Sequence, residues 1–133
     1  NGDGALQRGE VDAIRSLWTY KNADASFVAT NPLPRTEETL ERGRERFNIN
    51  CSVCHGVSGT GGVVASRWPA KVPSLVNDVD EPTRLRLAAM PVGELVAVIT
   101  EGKGTMPSYA HQIRVEDRWA IVHYLKALQK HFN

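Results

Sequence analysis

Residues 51–55 read Cys51-Ser52-Val53-Cys54-His55 and hold both cysteines of a 133-residue chain. No other segment limits the fold as much. Two thiols three residues apart on a tight turn can each bond one vinyl side chain of the same porphyrin. The next residue, His55, is then held beneath the iron, which is the c-type haem attachment pattern. Other uses of a cysteine pair need a different setting. A thioredoxin-like redox pair belongs in a βαβ unit, and no convincing alternating strand occurs in this chain. A structural zinc site takes four ligands, usually with a second Cys or His pair. A plain short-loop disulfide is the remaining alternative.

A bound group would also account for an uneven distribution of elements. Thr36 is a good N-cap, Glu37 and Glu38 suit a first helical turn, and Leu40, Gly43 and Phe47 recur at helical spacing to about Asn48. Another clear helix is expected from about Val115 to Lys130, with Trp119, Ile121, Val122, Leu125 and Leu128 apolar. Between them lie roughly 65 residues of loop and short helix, which need something to pack on. Four glycines fall within residues 56–62, and Trp68-Pro69 and Val72-Pro73 continue irregular backbone. Asp80 can cap a short helix reaching about Ala89. A further helix is expected from Pro91 to Gly102, with Leu95, Val98 and Ile99 on its apolar face. The class is all-α, with short helices around a central group.

Residues 1–35 read as an extension packed on the core, and residues 36–133 as the haem domain. A short helix is expected over Glu10 to Tyr20, and Asn31-Pro32-Leu33-Pro34 breaks the chain before the domain begins. Trp18, Tyr20 and Phe27 make the extension too aromatic for a disordered tail. The chain opens at Asn1 with no apolar leader, as expected of a processed product.

The sixth position of an iron held by His55 has three candidates. Met90 ends an apolar helical stretch, Leu85-Arg86-Leu87-Ala88-Ala89, where methionine commonly fills gaps. Met106 sits in Gly102-Lys103-Gly104-Thr105-Met106-Pro107-Ser108, where glycines free the backbone and Pro107 stops a helix. His111 follows five residues later. A ligand delivered from a loop over the haem face favours Met106 on context and donor type. His123 and His131 fall in or after the final helix and read as packing or surface residues.

Taken together, these residues resemble a mono-haem class I cytochrome c over about residues 36–131. The likeness rests on Gly43-x-x-x-Phe47, Cys51–His55, Pro73-Ser74-Leu75, the Gly-x-Gly-x-Met-Pro loop and the final helix with Tyr124. It implies a close crossing of the first and last helices at Gly43, Phe47, Ile121 and Tyr124. It implies too that the Pro73 carbonyl accepts the Nδ1 proton of His55, and that Leu75 packs on the porphyrin. Arg67 and Trp68 resemble the donors that hold haem propionates in related proteins. A narrower likeness is to the mono-haem subunit of bacterial alternative complex III. It rests on Asn31–Pro34, Glu41–Arg46, Arg67-x-Pro69 and Asp117–Ile121.

The resemblance implies one covalent haem c with His55 and Met106 on the iron, and one-electron transfer in a respiratory chain rather than enzymatic turnover. The expected partners are redox proteins, with a quinol-oxidising complex as donor and a terminal oxidase as acceptor. A fixed place in a membrane complex is the alternative, and a haem enzyme subunit with a displaceable sixth ligand is a further one. Haem attachment of this kind implies the periplasm or the outer face of the bacterial cytoplasmic membrane. Composition agrees with these limits. Hydrophobic residues make up 41%, and 16 Lys+Arg against 15 Asp+Glu leave a formal charge of +1. That near balance removes any charge argument for nucleic acid. No small-molecule substrate is expected. The haem edge is expected to be ringed by apolar loop residues, with Val57, Val63, Val64 and Pro107 as candidates.

Overall fold

The computed structural model describes residues 15–51, 55, 75, 81–104 and 106–132, with no account of the side chains of Thr83, Arg84, His131 and Phe132. Among the described residues four helices have both ends in view: α1 (Glu37–Asn50), α2 (Glu81–Ala89), α3 (Val92–Glu101) and α4 (Val115–Phe132). Among the described residues there is no strand, only isolated bridges between Lys21 and Phe27 and between Lys103 and Met106. The fold is all-α.

Helix α1 starts as its sequence dictates. The Thr36 hydroxyl accepts from the Thr39 amide at 3.1 Å, and Glu37 and Glu38 place negative charge on the first turn. Its buried residues, Gly43 and Phe47, face α4. The contact is closer than any side chain would permit. A Cβ on Gly43 would fall 2.0 Å from the Ala120 carbonyl oxygen and 3.0 Å from Tyr124 Cβ. One turn further on, the rings of Phe47 and Tyr124 meet at 5.5 Å between centroids, inclined by 56°. Arg42 then grips Asp117 with two parallel bonds of 2.9 Å, Nε to Oδ1 and Nη2 to Oδ2. The Asp117 carboxylate holds the Arg42 guanidinium above its ordinary pKa, first through these bonds and then through charge.

Helix α4 is buried almost all round. Every residue from Asp117 to Val122 is inside, because α1 covers one side, α3 another, and the chain before α1 a third. Trp119 Nε1 donates to the Leu17 carbonyl at 2.7 Å, and Asn31 Nδ2 to the Trp119 carbonyl at 2.9 Å. His123 Nε2 lies 2.8 Å from the Leu33 carbonyl. His123 is a packing residue.

The same leading segment closes over α3. Residues 15–18 form one helical turn, and the chain then doubles back so that Gly93 donates its amide to the Val28 carbonyl at 2.8 Å. A Cβ on Gly93 would meet the Tyr20 carbonyl at 2.5 Å. Of the residues expected on the α3 face, Leu95 and Ile99 are buried, but Val96 and Ala97 are buried with them and Val98 is only half-buried. A single apolar stripe was the wrong picture for this helix, because two partners cover it from different sides.

Candidate functional site

Of the attachment motif, Cys51 and His55 are described, and Cys51 is the C-cap of α1. The Cys51 amide donates to the Phe47 carbonyl at 2.8 Å, and the His55 amide to the Cys51 carbonyl at 3.0 Å. These two i to i−4 bonds tie His55 back to the end of α1 through Cys51. Cys51 is buried among Phe47, Leu87, Met90 and Leu95, and His55 is half-buried. Leu75 packs against this same apolar cluster. Its carbonyl accepts from Gln129 Nε2 at 2.9 Å, and that amide also reaches the Leu87 carbonyl at 3.3 Å. A buried thiol and a half-buried imidazole tied to it by a backbone bond are a donor set that fits a covalently held haem. Cys54, Arg67, Trp68 and Pro73 lie outside the described residues, as do Val57, Val63 and Val64.

Met106 is carried by a tight turn. Lys103 and Met106 exchange both backbone bonds, at 3.0 and 2.9 Å, with Gly104 at a φ of +59° inside the turn. That sign of φ suits glycine and strains most other residues. Gly102, which ends α3, has a φ of +82°, and a Cβ there would fall 2.6 Å from the Met106 carbonyl. Gly102 is therefore required by both its φ and its close approach, whereas Gly104 is favoured by its φ alone. Met106 is half-buried and Pro107 exposed. Met90, by contrast, is 5% exposed within the main core. Its carbonyl and that of Ala88 accept from Lys126 Nζ at 2.8 and 3.1 Å, which caps the C-terminal end of α2. Burial pushes the Lys126 amine below its ordinary value. His111 is exposed, on the rim of a cleft shared with Leu17, Trp18 and Arg118.

Sequence reasoning gave Arg118 no role, yet it is 5% exposed and fully engaged. Nε donates to the Ile113 carbonyl at 3.1 Å, Nη2 to the Ala110 carbonyl at 3.0 Å, and Nη1 to Thr100 Oγ1 at 3.3 Å. The indole of Trp18 covers the guanidinium at 5.7 Å. Burial lowers its pKa from the ordinary value. The available signal was an arginine set directly before the apolar run Trp119–Val122, where a charge must find partners.

Residues 38–125 match the family model described as cytochrome c oxidase, cbb3-type, subunit III. The chain belongs to that family. The match opens in the first turn of α1 and closes in α4, so it takes in the crossing of the two helices, residues 51–55 and the Met106 turn. Residues 15–37 stand before it. As a c-type cytochrome domain of this family, the chain binds haem and serves electron transport with redox protein partners. No individual curated protein matches the chain.

Proposed function

We propose that this cytochrome domain is a one-electron carrier and not an enzyme, with one haem c joined to Cys51 and Cys54 and with His55 and Met106 on the iron. The observation that carries this is the pair of backbone bonds that link Phe47 to Cys51 and Cys51 to His55. It ties the attachment motif to the helix that α4 clamps. Bound haem c supplies reversible one-electron exchange between ferric and ferrous iron. Cys51 would hold the group against the core, and His55 would offer its imidazole to the iron. Met106 would be the second iron ligand and so exclude substrate and water. Its thioether and the apolar surface of Leu75 favour the ferrous state. Pro73 would orient His55, and Arg67 and Trp68 would hold the propionates.

A respiratory chain is the setting this supports, in the periplasm or on the outer face of the cytoplasmic membrane, between a quinol-oxidising complex and a terminal oxidase. A second reading keeps the chemistry and changes the mobility: a fixed haem subunit of a membrane complex, such as alternative complex III. The family description names an oxidase subunit, which favours a fixed place in a membrane complex.

The test is a redox titration of the purified holoprotein together with exposure of its reduced form to carbon monoxide. One single-electron wave and an unchanged reduced spectrum are expected. Carbon monoxide binding by the native reduced protein would overturn the carrier reading, since it requires an open or readily displaced sixth position.

A further inference from the structure

Arg118 joins two stretches of chain that flank Met106. Thr100 lies on the leg that enters the Met106 turn, and Ala110 and Ile113 lie on the leg that leaves it. One guanidinium bonds all three, at 3.0 to 3.3 Å. Two shorter links run alongside. Ser108 Oγ donates to the Thr100 carbonyl at 2.6 Å, and the Tyr109 amide to the Ile99 carbonyl at 2.9 Å. The three nitrogens of the fork spread its donors toward acceptors on both legs, whereas the three donors of a lysine ammonium radiate from a single atom.

The guanidinium is in turn covered from outside the family match. Trp18 lies over it, and the Tyr20 hydroxyl donates to the Glu101 carboxylate at the end of α3, next to Gly102. The Glu101 contact raises the Tyr20 pKa above its ordinary value, mainly through that hydrogen bond.

We propose that Arg118 is a positioning residue for the sixth ligand: it locks both legs of the Met106 turn, and the Trp18–Tyr20 segment holds that lock closed. The proposal rests on Met106 as the iron ligand. Its consequence is kinetic. With the legs tied, Met106 rarely leaves the iron; with them loosened, an external ligand competes more often.

The experiment compares holoprotein variants Arg118→Lys, Tyr20→Phe, Arg42→Gln and Met106→Ala with the native chain. Arg42→Gln is the control, because it weakens the other side of α4 without touching the turn. Two readouts are taken: hydrogen exchange at the Met106 and Tyr109 amides, and the rate at which cyanide binds the ferric protein. In Arg118→Lys both should rise about tenfold, as expected when charge-assisted bonds to a locally opening segment are lost. Tyr20→Phe should move both in the same direction by less, and Arg42→Gln should change neither, even if it melts earlier. Unchanged amide exchange in Arg118→Lys would overturn the lock. So would faster exchange with native cyanide kinetics, or equal acceleration in Arg42→Gln. If Met106→Ala itself binds cyanide no faster than the native chain, the ligand reading fails, and the inference falls with it for that separate reason.

Discussion

Two methionines of identical chemistry occupy opposite situations, and their substitution separates packing from ligation. Met90 is enclosed by the core, so Met90→Ala should cost about 2–5 kcal/mol of stability, as truncation of a buried side chain does. It should leave the midpoint potential and the reduced spectrum unchanged. Met106 is half-buried on a turn that two glycines make possible, so Met106→Ala should cost little stability. It should instead lower the potential and open the reduced protein to carbon monoxide. Denaturant titration and potentiometry of both variants check this, and a reversed pattern would move the ligand to Met90. Residue order alone carries the distinction, because Met90 closes an apolar helical run while Met106 follows Gly-x-Gly-x. Arg118 was less legible. Its three acceptors are backbone carbonyls and a threonine hydroxyl brought together only by the fold, and no spacing in the chain announces them.

At the level of helices, α1 against α4 is the contact on which the site depends. Gly43 marks the crossing, and its identity was legible from Gly43-x-x-x-Phe47. The partner was legible in part: the sequence pointed to Ile121 and Tyr124, and Tyr124 does meet Gly43 and the Phe47 ring, whereas the Ala120 backbone makes the closest approach. A carbonyl leaves no trace in residue type. Gly43→Ala should therefore be severe. The helices must part by enough to clear an atom otherwise 2.0 Å away, and overpacking of this kind costs about 1–3 kcal/mol or more. Thermal unfolding of the holoprotein should show the loss, together with weakened coupling between the Phe47 and Tyr124 rings. The α3 face shows the opposite limit. Helical period identified Leu95 and Ile99 correctly, but it carried no information that the Tyr20–Val28 segment would bury Val96 and Ala97 as well.

The whole molecule has little charge with which to attract a partner. The chain carries +1, and ferric haem with two ionised propionates adds one negative charge, leaving the oxidised protein neutral. Five lysines are too few for a basic ring, and several arginines are already paired within the fold, Arg42 with Asp117 and Arg44 with Glu41. Steering by net charge should be weak. Electron transfer to its redox partner should then change less than about tenfold between low salt and ~0.2 M, where screening lengths fall below ~10 Å. Stopped-flow kinetics across that range will check it, and a steep decline would reveal a local charged patch.

The crossing at Gly43 also sets an order of events during biosynthesis. Among the described residues α1 crosses α4, more than seventy residues later in the chain, so closure of that contact must await nearly the whole domain and carries the entropy of a long loop. Until Ala120 and Tyr124 arrive, Phe47 lacks the helix it crosses, and the cluster that buries Cys51, four residues beyond it, is incomplete. A haem joined at Cys51, as proposed, would therefore be attached while the chain is still open. The burial seen in the finished fold would then seal a bond already made.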